Sequence, residues 1–227
     1  MDQGQSFLDT TTDGLPVRGF LHESAVAGDA LVLAHGAGSD CNAPLLVALA
    51  EAFCAAGVTV LRLNLLFRQL RPHGPPPRGS AERDQAGLRA AVEAMRRRMA
   101  GRVFLGGHSY GGRQASMLAA SAPGLVEGLL LLSYPLHPPR RPAELRTAHF
   151  PRLETAALFV HGSRDGFGSI DELEEARKLI PTRTELLAVP SAGHELLTKK
   201  NREELPRLCV ERFPVFFPGD ASSLGHQ

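Results

Sequence analysis

A chain of 227 residues with 43% hydrophobic and 22% charged side chains can bury one sizeable core but is short for two, so a single domain is expected. Its 25 basic and 24 acidic side chains leave a formal net charge of +1, which builds no field for nucleic acid or an anionic membrane and sets both aside as partners. No apolar run approaches the ~20 residues of a bilayer span, the first residues lack the pattern of a signal peptide, and Cys41, Cys54 and Cys209 are too scattered for a disulfide framework or zinc site; free thiols and a cytoplasmic location are expected.

Residues 5–9 and 16–21, separated by Thr11-Thr12-Asp13-Gly14, read as an opening hairpin turned at Asp-Gly. Short apolar runs then alternate with helical periodicity, the pattern of a mostly parallel sheet covered on both faces. A strand over 30–34 is followed by a helix over 44–56 that Gly57 ends, and a strand over 58–63. The proline- and glycine-rich stretch 68–79 reads as a loop, and its Arg68, Arg71 and Arg78, like Arg140 and Arg141 further on, as solvated arginines. Ser80 is expected to cap a helix over 81–99 whose Leu88, Val92, Met95 and Met99 share a face. Arg96, Arg97 and Arg98 form its solvated end, where positive charge suits the helix dipole.

Beyond lie a strand at 103–105, a glycine-rich turn over 106–112 and a helix from Arg113. A strand over 128–132 and one over 156–160 are joined by a segment with room for one or two helical turns and none for a large lid. A charged surface helix over 171–179 with Asp171 as cap, a strand over 184–189 and a helix over 201–213 capped by Asn201 complete the pattern. The fold class is thus α/β, about eight strands in one domain of residues 1–217, with 218–227 as a flexible tail.

Chemistry points to Gly107-His108-Ser109-Tyr110-Gly111, a serine on a strand-to-helix turn whose neighbours are nearly free of side chains. A serine hydroxyl needs a base and the base an orienting acid. Asp165 and His194 each follow an apolar run, where polar groups gather at the carboxyl ends of strands, and they come in the order nucleophile, acid, histidine. Asp84, Glu144 and Asp171 are weaker acids by position, and His108, His137 and His161 weaker bases. The catalytic residues expected are Ser109, Asp165 and His194. The N–H groups of Tyr110 and of Ala37, in His35-Gly36-Ala37-Gly38, are expected to bind the substrate's oxyanion. Leu65, Leu66, Phe67, Leu136 and Phe167 stand near this edge as acyl-pocket candidates. Neither a metal nor an organic cofactor is expected: H-E-x-x-H is absent, and the glycine-rich turn lacks the phosphate-loop lysine. Cys41 reads as a small buried residue.

Through these motifs residues 15–216 resemble the α/β-hydrolase superfamily, and within it the small lidless branch similar to dienelactone hydrolases. Stretches such as Tyr134-Pro135-Leu136-His137-Pro138-Pro139 and Gly162 to Gly168 look most like poorly characterised predicted hydrolases related to a subunit of a chromatin acetyltransferase complex. Dienelactone hydrolases use a cysteine where this chain has Ser109, which counts against a dienelactone substrate. The resemblance implies a serine hydrolase of carboxylesterase or thioesterase type, acting on a small ester, thioester or related acyl substrate. It also leaves open a scaffold with an idle triad, acting as a binding or complex subunit.

Overall fold

The computed structural model describes residues 4–11, 15–26 and 28–219, so the expected Asp13-Gly14 turn and the tail beyond Gly219 lie outside the described residues. The chain opens with an antiparallel pair, β1 (Gln5–Asp9) and β2 (Val17–His22). Five strands that bury every residue follow: β3 (Ala30–Ala34), β4 (Thr59–Leu63), β5 (Val103–His108), β6 (Leu129–Leu132) and β7 (Ala157–Gly162), before β8 (Thr184–Val189). The sheet order is β1-β2-β4-β3-β5-β6-β7-β8, parallel from β4 to β8.

The unbroken apolar runs follow from cover on both faces. Alternate residues of one strand enter different cores: Ala30, Val32 and Ala34 meet the side that holds α3 (Ala81–Arg98) and α4 (Tyr110–Ser121), while Leu31 and Leu33 meet the side that holds α1 (Pro44–Ala55) and α6 (Glu204–Phe216). β3 lies between β4 and β5, so the chain departs to opposite sides at its carboxyl end. Such a switch point opens a crevice at the strand ends, and here the 35–43 loop and the turn after β5 emerge side by side, with Ala34 in register with Gly107.

Several local expectations change. Arg68, Gln69 and Leu70 are not loop but part of a short helix, α2 (Leu66–Leu70), which leaves buried Leu66, Phe67 and Arg68 behind the 35–43 loop. Ser80 precedes α3 without a side-chain cap; its hydroxyl lies 3.3 Å from the Tyr110 hydroxyl instead. The cap of α5 (Ile170–Arg177) is Ser169, which forms a reciprocal capping box with Glu172, so Asp171 lies inside the helix. α6 starts at Glu204, and the Asn201 side chain serves the preceding turn, accepting from the N–H and hydroxyl of Thr198. Between β6 and β7 only a short 3-10 turn, Phe150–Arg152, is regular, and no lid is evident among the described residues.

Candidate active site

β5 ends in a turn that leaves Ser109 at φ 51° and ψ −115°, a left-handed conformation that costs on the order of 1–3 kcal/mol. The conformation is held by the main chain on both sides: Ser109 N–H donates to Leu132 O at 2.8 Å, and Arg113 N–H donates to Ser109 O at 2.9 Å. Close backbone approach explains the flanking glycines. A Cβ at Gly107 would stand 2.7 Å from Ala34 O, and one at Gly111 would stand 2.6 Å from His35 O.

The two remaining members of the expected triad converge on this serine. His194 Nε2 is 2.8 Å from Ser109 Oγ, and His194 Nδ1 is 2.8 and 3.0 Å from the two Asp165 oxygens. A carboxylate only accepts, so Nδ1 carries the proton and the Nε2 lone pair faces the serine hydroxyl. Burial alone would raise the Asp165 pKa; the hydrogen bonds from His194 and from Phe167 N–H, with the neighbouring imidazoles, outweigh it and hold the carboxyl below the usual range. Phe167 also stacks on the His194 ring, with centroids 4.1 Å apart. The acid and base loops are joined by Arg164 N–H to Ala192 O and Ser191 N–H to the Ser163 hydroxyl, both 2.9 Å.

The rival imidazoles have other partners. His108 Nε2–H donates to His194 O and His161 Nε2–H to Gly168 O, each at 2.8 Å, so one supports the base loop and the other the acid loop. Burial keeps both below the ordinary histidine value and therefore neutral. His137 lies against Pro138 O and, at 3.6 Å, Glu172.

The loop after β3 lies directly against the serine, since a Cβ on Gly36 would stand 3.6 Å from Ser109 Cβ. His35 fixes that loop. Leu65 N–H donates to its Nε2, which leaves Nδ1–H to donate to Gly36 O at 2.8 Å, and burial lowers its pKa to about 4. In a trans peptide the N–H points opposite to the C=O, so a bond to Gly36 O sets the direction of Ala37 N–H. Tyr110 N–H, at the first position of α4, has no acceptor inside the helix. Tyr110 follows Ser109 in the chain, and Ala37 follows the Gly36 that packs against it.

A family description, "Alpha/beta hydrolase domain", matches residues 27–209. The chain belongs to this family. Among solved structures it is similar to a dienelactone hydrolase from Anabaena variabilis, at 22% identity and a TM-score of 0.75, over 95% of this chain and 99% of that one. Est1E from Butyrivibrio proteoclasticus gives 16% and 0.75 over 94% and 99%. XC6422 from Xanthomonas campestris, described as a serine hydrolase without a lid, gives 15% and 0.70 over 96% and 97%. At these identities the likeness is one of fold.

In this alpha/beta hydrolase two residues that sequence reasoning passed over stand behind the oxyanion side. Asp84, set aside as a helix residue, is fully buried and accepts from Tyr110 O–H at 2.8 Å and Phe67 N–H at 2.9 Å. Arg68, read as solvated, is 6% exposed. The only signals for them were an acidic residue in the first turn of a helix and an arginine beside apolar neighbours, both commonplace. Of the acyl-pocket candidates, Leu65, Leu66, Phe67 and Leu136 are buried core, and Phe167 is half-buried on His194. Cys41 is buried, which pushes its thiol to about 11. Among the described residues no His, Cys, Asp and Glu cluster is arranged to hold a metal ion, and no helix is long and apolar enough to cross a membrane. A groove of about 1160 Å³ between α1 and α6 contains none of Ser109, Asp165 and His194.

Proposed function

We propose that this protein is a serine hydrolase that cleaves a small ester, thioester or related acyl substrate through an acyl-enzyme, with Ser109, His194 and Asp165 as its triad. The observation that carries the reading is the unbroken hydrogen-bonded path from Ser109 Oγ through His194 to Asp165. Ser109 Oγ bonds to the acyl carbon as its proton passes to His194 Nε2, and the carbonyl electron pair moves onto oxygen. Ala37 N–H and Tyr110 N–H receive that oxyanion. The tetrahedral intermediate collapses, and the leaving group takes the proton from Nε2. Water then repeats the sequence on the acyl-enzyme and frees the acid. Asp165 remains a carboxylate throughout, in keeping with its lowered pKa.

Labelling with a fluorophosphonate, which traps an activated serine as a tetrahedral adduct, tests the reading. The wild type is expected to label, and folded Ser109→Ala and His194→Ala variants to remain unlabelled. A folded wild type inert to the probe would remove the proposal.

A further inference from the structure

α2 is only five residues long, yet it lies behind both proposed oxyanion donors. The Phe67 ring meets His35 and Tyr110 edge-on, with centroids 5.6 and 5.7 Å apart. One residue along, the buried Arg68 guanidinium donates to four main-chain carbonyls. Nε reaches Ser39 O at 2.9 Å, Nη2 reaches Ala37 O at 2.9 Å and Gly74 O at 3.0 Å, and Nη1 reaches Arg71 O at 3.1 Å. Among the described residues its charge rests on carbonyl dipoles and on the Phe67 ring, 4.9 Å away, rather than on a carboxylate.

We propose that Arg68 is the positioning residue of the oxyanion hole, its guanidinium locking the main chain from Ala37 to Ser39 against the 71–74 loop so that Ala37 N–H stays aimed at the site of the developing oxyanion. A buried charge is tolerated only where its donors are satisfied, and a planar fork with five N–H groups can serve four divergent carbonyls where a lysine ammonium cannot. His35 sets one face of this loop through Gly36 O, and Arg68 holds the next carbonyl, Ala37 O, together with Ser39 O. The peptide that donates to the oxyanion is therefore gripped at its own carbonyl, Gly36 O, and the peptide that follows it at Ala37 O. Because the same guanidinium holds Arg71 O and Gly74 O, the proline-rich loop is tied to the oxyanion loop. Arg68 does not touch substrate in this scheme; it acts through Ala37.

The inference rests on the serine-hydrolase reading for its kinetic consequence, and its test keeps the two apart. Arg68→Lys, Arg68→Met and Arg68→Ala variants are checked for folding by circular dichroism. They are then assayed for fluorophosphonate labelling rate, for kcat and KM on p-nitrophenyl acetate, and for amide exchange. Arg68→Met is expected to lose about a hundredfold in labelling rate and kcat, on the scale of one lost oxyanion donor, with KM within about threefold of wild type. Arg68→Lys should recover only part of this, and millimolar guanidinium should partly restore Arg68→Ala, which a general loss of stability would not allow. Amides in the loop, such as Ser39 N–H to Gly36 O and Cys41 N–H to the Asn64 side chain, should exchange about tenfold faster in Arg68→Met while β7 is unchanged. Folded variants that label at the wild-type rate, or whose loss lies in KM alone, overturn the proposal. If the wild type is inert to both probes, the hydrolase reading fails, and exchange alone decides: an unchanged loop rejects Arg68 as its lock.

Discussion

On one side of Ser109 the proposed working groups are side chains, Asp165 and His194, on loops after β7 and β8; on the other they are main-chain N–H groups, Ala37 and Tyr110. The acid–base side has a stacked ring over its histidine and two cross-loop bonds beneath it. On the oxyanion side the side chains serve the backbone: His35 holds Gly36 O, Arg68 holds Ala37 O and Ser39 O, and Asp84 holds the Tyr110 hydroxyl. Chemistry done by a side chain exposes the residue type it needs. Chemistry done by a backbone amide shows itself only through the residues that clamp it.

The strongest way to test that contrast is on the acid–base side. Asp165→Asn keeps the shape but removes the carboxylate that fixes the His194 tautomer, and kcat on p-nitrophenyl acetate should fall by about 10³–10⁴; a loss under about tenfold would remove Asp165 from its role. A smaller effect belongs to the oxyanion side. Tyr110→Phe deletes one donor to Asp84 and leaves the Tyr110 main chain in place, so kcat should fall by no more than about tenfold. Thermal denaturation should show a stability loss of about 1–2 kcal/mol, and an unchanged melting curve would mean that the Asp84 contact contributes nothing.

The gentlest test uses pH, at which the two sides part. Burial lowers to about 4 the folded pKa of His35, on the oxyanion side, and of His149, which lies outside the site 2.8 Å from the Ser116 hydroxyl of α4, so the unfolded chain takes up their protons near pH 6.5 while the folded chain does not. Stability present above pH 6.5 is therefore lost as the pH falls from 6.5 toward 4, with a slope of at least about two protons, because His108 and His161, also lowered by burial, add to it. For Asp165 the folded pKa lies below the unfolded value of 3.8, so its contribution, present above that value, disappears only as the pH falls through the lower folded one. Urea midpoints between pH 7 and 4.5 should fall, and His149→Gln should remove about one proton from the slope; a flat profile in the wild type would contradict the burial of neutral imidazoles.

Much of the fold is legible because β3 to β7 are buried on both faces and read as apolar runs. The hairpin's two strands, the chain order of Ser109, Asp165 and His194, and the 35–38 loop are local patterns of the same kind. α2 was hidden for a physical reason: five residues make less than two turns, too few for a period, and the prolines and glycines that follow dominate the composition. Caps failed where the true partner was distant or a better capping residue stood nearby. Ser80 lies near the Tyr110 hydroxyl, 30 positions away, and Ser169 forms a reciprocal box with Glu172 that Asp171 does not. Asp84 and Arg68 gain their roles only when β4, α2 and the 35–43 loop are brought together by the switch at β3.

The glycines at the start of α4 limit how this protein can be engineered for heat resistance. Replacing a helical glycine by alanine ordinarily adds up to about 1 kcal/mol, and a helix-stabilising redesign would choose Gly111 and Gly112 early. Each methyl would strike main chain, His35 O at 2.6 Å and Gly107 O at 2.5 Å, with no flexible side chain to give way. A safer gain lies on the outer face of α3, where Ala86→Lys would set a cation four residues after exposed Glu82 without moving the strand that leads to Ser109.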